Sequence, residues 1–363
     1  MALPAELNAA TTEIWGSKEP QDLAYKASPL LYFLLRDPDT KKFSQEKFDN
    51  SIMDPSNISH TGTELRYPLE VALPGGGAMN NATTVDHTQT QLYSYLSATM
   101  GTAYSEGVVN LTERTQNTGP AKIFDLAERK VKSARKKIQD VIATACLQFQ
   151  NPDGGSVATN NGIFPGLPDC FNTAAGTSYL GISKTDSSIW AESVDANAYA
   201  MTFKQMQAIR RAAKVDDTGD GIPNIYFTSQ TLKDAYEAGL ETQQRFTDEA
   251  AVNAGWHNIK FGGVPIVVDR KLDSATNGIM SKIADADGTG FGPTSVIGLN
   301  LDYWKLQVHP EMNFQKTPWD FELNRPQILV MTIMTTLTLI CTYRSANCWF
   351  YAVTAPARCR EGG

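Results

Sequence analysis

The sequence predicts an α+β fold, made of extended β-rich segments around one compact α/β block. Three observations carry that expectation. The uncharged run at residues 327–343, QILVMTIMTTLTLICTY, has the β-branched content of a long buried strand rather than a helix. Residues 119–151 repeat apolar side chains at three- and four-residue spacing, as a long amphipathic helix does. Residues 203–268 alternate helix and strand patterns, the signature of a local βα unit. The 363 residues, 42% apolar and 20% charged, suffice for two domains and exclude wholesale disorder. Asp and Glu outnumber Lys and Arg by 39 to 32, a net charge of −7 that argues against a dedicated nucleic-acid binder.

Taken in order, residues 1–58 read as an arm. Their one compact apolar cluster, Leu30 to Leu35, is too small to order so much backbone at roughly 1–2 kcal/mol of entropy per residue. Residues 59–108 read as a long β-hairpin. Its strands lie at 64–73 and 89–99, and a Gly/Asn/Thr-rich tip joins them. Leu65, Tyr67, Leu69 and Val71 fall on one face, with Arg66 and Glu70 on the other. Ten extended residues reach roughly 33 Å, and a lone two-stranded ribbon of that length is marginal in water. The hairpin therefore needs a partner surface, for which the candidate residues are Arg66, Tyr67, Leu69, Tyr93 and Tyr95.

Residues 109–195 hold the long helix. Gly119 and Pro120 set its start, and Phe124, Ala127, Val131, Ala134, Ile138, Val141 and Ala145 form its apolar stripe. Lys130, Arg135, Lys136 and Lys137 crowd the remaining surface as a candidate basic face. No aromatic interleaves these charges for base stacking, so any polyanion contact there would be salt-sensitive and without sequence preference. Residues 196–314 form the α/β block, with helices at 203–214 (capped by Thr202) and 231–242 and strands at 225–228 and 264–268. Residues 315–363 return to β: the long strand, a turn at Ser345, Ala346 and Asn347, and a final strand at 348–353.

No catalytic residue, metal site or cofactor site emerges. The four histidines are scattered, and none stands at metal-ligand spacing from another His or a Cys. Cys341 and Cys348, seven apart across the turn, are expected to face each other in a hairpin, but zinc would need two more ligands. Five cysteines without framework spacing read as reduced thiols. The acidic loops beginning at Asp216 and Asp285 put Phe227 and Val296 where a calcium loop needs its bidentate Glu. There is no phosphate-cradling loop with its Lys and no G-x-S-x-G elbow. No secretory signal opens the chain, and the apolar run, bracketed by Arg325 and Arg344, is short for a membrane helix.

The order of elements, together with three local motifs, resembles the Hong Kong 97-type major capsid proteins of tailed bacteriophages. The motifs are Gly181-Ile182-Ser183 with Trp190 after it, Phe261-Gly262-Gly263-Val264-Pro265, and Leu299-Asn300-Leu301-Asp302-Tyr303 followed by His309-Pro310 and Pro318-Trp319. The resemblance implies an N-terminal arm, an E-loop hairpin, a peripheral domain with a spine helix, and an axial domain. It implies self-assembly in hexamers and pentamers into an icosahedral shell around double-stranded DNA, in the virion. Portal, scaffolding and decoration proteins are the implied partners, with neither membrane nor cofactor. Encapsulins, cellular compartments on the same fold, are the alternative. Some family members cross-link through a hairpin lysine; here no lysine occurs between Lys47 and Lys122, so the expected shell is non-covalent. The chain opens almost directly on the arm, so a separate scaffolding protein, or none, is expected.

Overall fold

The structure, a computed structural model, describes residues 28–34, 64–70, 92–116, 126–147, 163–171, 178–183, 190, 193–195, 200–213, 222–240, 259–272, 291, 294–323 and 325–350. In chain order come helix α1 (Pro29–Leu34), strands β1 (Glu64–Glu70), β2 (Tyr93–Thr99) and β3 (Gly101–Asn110), and helices α2 (Leu111–Gln116) and α3 (Leu126–Cys146). Strands β4 (Ser178–Tyr179), β5 (Ile182–Ser183) and β6 (Ser193–Asp195) precede helix α4 (Phe203–Ala212), strand β7 (Ile225–Thr228) and helix α5 (Gln230–Leu240). Strands β8 (Ile259–Phe261), β9 (Val264–Val268), β10 (Val296–Leu299), β11 (Trp304–Val308), β12 (Gln315–Lys316), β13 (Asp320–Glu322), β14 (Arg325–Cys341) and β15 (Cys348–Phe350) complete the chain. Two compact units result: residues 1–61, 101–144 and 307–337, and residues 62–100, 145–306 and 338–363.

The first unit is organised by β14, the 17-residue strand that the β-branched run predicted. β3 pairs with it antiparallel, from Asn110 opposite Ile328 to Gly101 opposite Leu337. β11, β12 and β13 also pair with β14. β3 alternates strictly: Ala103, Ser105 and Val109 are buried, whereas Thr102, Tyr104, Glu106 and Val108 are exposed. A one-sided pattern of this kind belongs to a sheet covered on one face. Helix α3 supplies the cover. A Cβ added at Gly107 would lie at ordinary contact distance, 3.9 Å, from the Lys130 carbonyl, and tight, at 3.0 Å, against Met331 Cε of β14. α1 buries Leu30, Leu31 and Leu34.

Two expectations are corrected here, on the extent of the hairpin and on the helix stripe. Residues 101–108, assigned to the hairpin, belong to β3 and so to the sheet of this unit. The described helix has 21 residues, about 32 Å at 1.5 Å per residue, and Leu147 already turns away. Its expected start, with Phe124, lies outside the described residues. Of the expected stripe Ala134, Ile138 and Ala145 are buried, joined by Ile142, while Val131 and Val141 are only half-buried.

The second unit is a layered α/β structure on a six-stranded mixed sheet in the order β6-β15-β10-β7-β9-β8. α4 and α5 cover one face: Met206, Ile209, Leu232 and Tyr236 pack with Tyr226, Ile266, Val296, Cys348 and Phe350. On the opposite face Trp349 meets Phe171 and Phe291 edge-on, at 6.3 and 5.1 Å between ring centroids. Thr202 caps α4 as its sequence position suggests, its hydroxyl accepting the Gln205 N–H at 3.4 Å. The glycine pair of the β8–β9 hairpin takes φ values of 58° and 87°. Two left-handed residues in succession are what a tight two-residue hairpin demands.

The end of the chain departs from expectation. β15 forms no hairpin with β14; it pairs antiparallel with β10 and parallel with β6. Residues 315–363 are therefore divided, with 315–337 in the first unit and 338–363 in the second. The cause is the 3₁₀ turn at Arg344–Ala346. Buried Arg344 and Asn347 anchor that turn and redirect the chain, so Cys341 and Cys348 end up in different sheets.

Candidate interaction surfaces

The hairpin is a β1–β2 ladder running from Glu64 opposite Thr99 to Glu70 opposite Tyr93; its expected tip lies outside the described residues. This register divides the five singled-out residues between two faces. Tyr67 and Leu69 lie on the face of Leu65, Leu96 and Ala98. Leu96 and Ala98 are fully buried, and Lys305 Nζ stands 5.5 Å from the Tyr67 ring centroid. Partial burial raises the pKa of the Tyr67 phenol. The Ser97 N–H donates to the Leu180 carbonyl at 2.9 Å. The base of this apolar face, at Leu96 and Ala98, is thus covered by the chain itself, while Tyr67 and Leu69 stay half-buried. Arg66, Tyr93 and Tyr95 occupy the opposite face. Tyr93 is 64% and Tyr95 53% exposed, and the Arg66 guanidinium lies 4.9 Å over the Tyr95 ring.

The basic residues of α3 do not make one face. At about 100° per residue, Lys130 and Lys137 share a side while Arg135 and Lys136 diverge from it. Neighbours neutralise several of them. Lys130 Nζ is 3.6 Å from Glu113, Lys137 Nζ 3.5 Å from Asp140, and Lys132 Nζ 2.9 Å from Glu128. Arg135 Nε is buried and has no hydrogen-bond partner among the described residues. A structural role against the sheet fits Lys130 and Arg135 better than a polyanion track.

The motifs around Gly181 and Asn300 sit where the second unit is tied together. Leu180 and Gly181, at φ 50° and 88°, form the β4–β5 turn whose carbonyl receives Ser97. Trp190 stacks beside Tyr179 at 6.2 Å. Arg344, which sequence reasoning passed over, joins these pieces: its Nε donates to the Cys170 carbonyl and its Nη1 to the Trp190 carbonyl at 3.5 Å. Its guanidinium carbon is 5.9 Å from the Tyr179 ring centroid. Asn300, of the asparagine-leucine-aspartate motif, caps a 3₁₀ turn by accepting the Asp302 N–H at 3.2 Å. The fully buried Asn347 then accepts the Asn300 N–H at 2.9 Å and the Trp304 indole N–H at 2.8 Å. Buried polar groups cost stability unless they are hydrogen-bonded, and the side chains of Asn300 and Asn347 are.

Chemistry in the catalytic sense finds no constellation among the described residues. No three His, Cys, Asp or Glu side chains gather there. Cys146, Cys170, Cys341 and Cys348 are free and buried, and desolvation pushes the Cys146 and Cys348 thiols up to about 12. A thiol so poorly ionised is neither a nucleophile nor a ready ligand. His309 accepts the Glu311 N–H through Nδ1 at 3.3 Å, capping a turn. The other three histidines and both acidic loops lie outside the described residues. No described helix is long and apolar enough to cross a membrane.

One exposed feature gave little signal in the sequence. β13 and β14 form a hairpin in which Glu322 stands opposite Arg325. Leu323, beyond Glu322, is 99% exposed, and Phe321 is 53% exposed. The register slips between Phe321 and Glu322, and Pro326 falls in the irregular stretch of β14. A missing N–H is tolerated at such a bulge.

No family model matches the chain, and no curated protein is significantly similar to it. Solved structures are similar. A chain of the cyanophage A-1(L) capsid asymmetric unit superposes with a TM-score of 0.61 at 16% identity, covering 94% of this chain and 98% of that one. The capsid of the native GTA particle gives 0.53 at 10% identity, covering 82% and 89%. The capsid of Myoviridae phage XM1 gives 0.51 at 10% identity, covering 86% and 93%. This chain has the α+β fold of those capsid proteins.

Proposed function

We propose that the chain is the major capsid protein of a tailed bacteriophage, of Hong Kong 97 type, assembling into the icosahedral head shell around double-stranded DNA. The observation that carries this reading is the shared architecture with a capsid chain over nearly the whole of both chains. The geometry is compatible with the role. A hairpin seated at its base on its own chain presents Arg66, Tyr93 and Tyr95 outward, and the open face of β3 presents Tyr104 and Val108. Exposed aromatics on projecting elements suit contacts that are weak singly and strong when repeated around a ring. Hexamers and pentamers would be the closed units, with portal, scaffolding and decoration proteins as partners and no cofactor required.

The shell would be non-covalent, since no lysine lies between Lys47 and Lys122 to serve as a hairpin nucleophile. The net charge of −7 suits a container that must not grip its cargo. DNA contact would accordingly lack sequence preference. The test is expression of the full chain, followed by electron microscopy and nucleic-acid assay of the purified particles. Hollow or DNA-filled shells are expected. Uniform particles of one chain's 39.7 kDa would sink the reading, and native shells carrying a protein cargo without DNA would replace it with a cellular compartment. Ladders of monomer multiples on denaturing gels of boiled particles would contradict the absence of cross-links.

A further inference from the structure

Cys341, expected to face Cys348, meets a different thiol. It is the last residue of β14, whereas Cys170 stands in the 3₁₀ turn Pro168–Phe171, and both belong to the second unit. Both are fully buried, and their thiols share a hydrogen bond. Two further contacts hold the same segments together. The Tyr179 hydroxyl accepts the Cys341 N–H at 3.1 Å, and Arg344 Nε donates to the Cys170 carbonyl. The Arg344 guanidinium in turn lies 5.9 Å over the Tyr179 ring. Buried cysteines often serve only as small apolar fillers. Here polar anchors beside each cysteine fix the two sulfurs against one another. The other buried thiols sit differently: Cys146 lies near Lys271, and Cys348 packs on Gly298.

We infer that Cys170 and Cys341 are a latent disulfide, open in reducing surroundings and closed by a small-molecule disulfide such as oxidised glutathione. The Cys341 thiolate attacks one sulfur of the reagent and expels a thiolate. The Cys170 thiolate then attacks the Cys341 sulfur of the mixed disulfide and expels the second. The two cysteine protons end on the two expelled thiolates, so one disulfide is reduced as the other forms. Burial first, and the Cys170 thiol second, hold Cys341 protonated well above the ordinary thiol range, so closing is slow. Once made, the bond ties the end of β14 to a turn far away in sequence, and closing so long a loop restricts the unfolded chain. Formation of the bond does not depend on the shell reading; its use does. A shell built in a reducing cytoplasm would gain this staple only after release.

The test incubates the full chain, folded and unassembled, with oxidised glutathione at mildly alkaline pH. Intact mass and tandem mass spectrometry of the peptides then locate any bond. Wild type should lose two hydrogens and yield one internal link, between Cys170 and Cys341. Cys146→Ala should behave alike, whereas Cys341→Ala should form no internal link. Oxidation should raise the wild-type melting temperature by about 5–10 °C and leave that of Cys341→Ala unchanged. No link in wild type, a link through other cysteines instead, or an unchanged wild-type melting temperature would overturn the inference. The bond is mapped on the wild-type chain, so the test survives if Cys341→Ala fails to fold. None of these readouts requires shells, so failure of the shell reading would leave the bond standing, and absence of the bond would leave the shell reading standing.

Discussion

Replacing Asn347 by alanine should destabilise the second unit by about 3 kcal/mol. The side chain is fully buried, and its Oδ1 accepts two hydrogen bonds, from the Asn300 N–H at 2.9 Å and the Trp304 indole at 2.8 Å. Its Nδ2 donates to the Tyr343 carbonyl at 3.0 Å. Alanine orphans two buried donors, and each orphan costs about 1–3 kcal/mol of unrecovered desolvation. The carbonyl loses one partner but keeps a second lone pair, so it adds little. The lower half of the resulting range, about 3 kcal/mol, allows for a water entering the space left behind. At about 2–4 °C per kcal/mol for a unit of this size, the melting temperature should fall by about 6–12 °C. Asn224→Ala is the control. Asn224 accepts the Leu301 N–H at 3.0 Å but is half-exposed, so water can replace it, and the loss should stay below about 1 kcal/mol. Differential scanning fluorimetry of unassembled subunits measures both. A drop below about 2 °C for Asn347→Ala, or equal drops for the two variants, would refute the claim that this asparagine anchors the chain's end.

Three further outcomes are expected. Tyr95→Asp should leave the subunit folded but impair assembly, whereas Leu96→Asp, one residue on, should unseat the hairpin and destabilise the subunit by several kcal/mol, because it buries an unpaired charge; circular dichroism with particle counting separates them. Ile138→Asp should unfold the first unit, while Val131→Asp, at a half-buried position, should cost much less; urea titration ranks the two. Between pH 9 and about 12 the Cys146 and Cys348 thiols ionise in the unfolded chain but not in the folded one. The unfolded state then binds fewer protons, so stability is intact below pH 9 and falls as pH rises, by roughly 1 kcal/mol per pH unit per thiol; replacing both by serine or alanine should flatten that slope in urea melts.

Much of the local structure was legible because it is written in nearest-neighbour terms. β-branched threonines and isoleucines marked β14, and three- and four-residue spacing marked α3. What failed was assignment at long range. Nothing local distinguishes a β15 that folds back on β14 from one that inserts beside β10, since its residues are apolar in either case. The decision rests on Arg344 and Asn347, polar residues whose buried partners lie far away in sequence. The hairpin gave a similar lesson. Period-two alternation correctly sorted Tyr67 and Leu69 from Arg66, yet it could not say that Leu96 and Ala98 would be covered by the chain itself. The basic residues of α3 misled because crowding in sequence is not adjacency on a helix.

The pairing of β3 with β14 also governs when the molecule can be completed. Gly101 finds its partner at Leu337, and Thr102 shares a 2.8 Å hydrogen bond with Thr336. Everything from the hairpin's successor to the chain's last strands must therefore leave the ribosome before the first unit has its central strand. Until then β3 is an open edge, and contacts of such sequence separation form slowly. Chains cut short before Arg325 cannot build the sheet at all. Placing the organising strand so late delays the whole sheet until residues 325–341 have been synthesised.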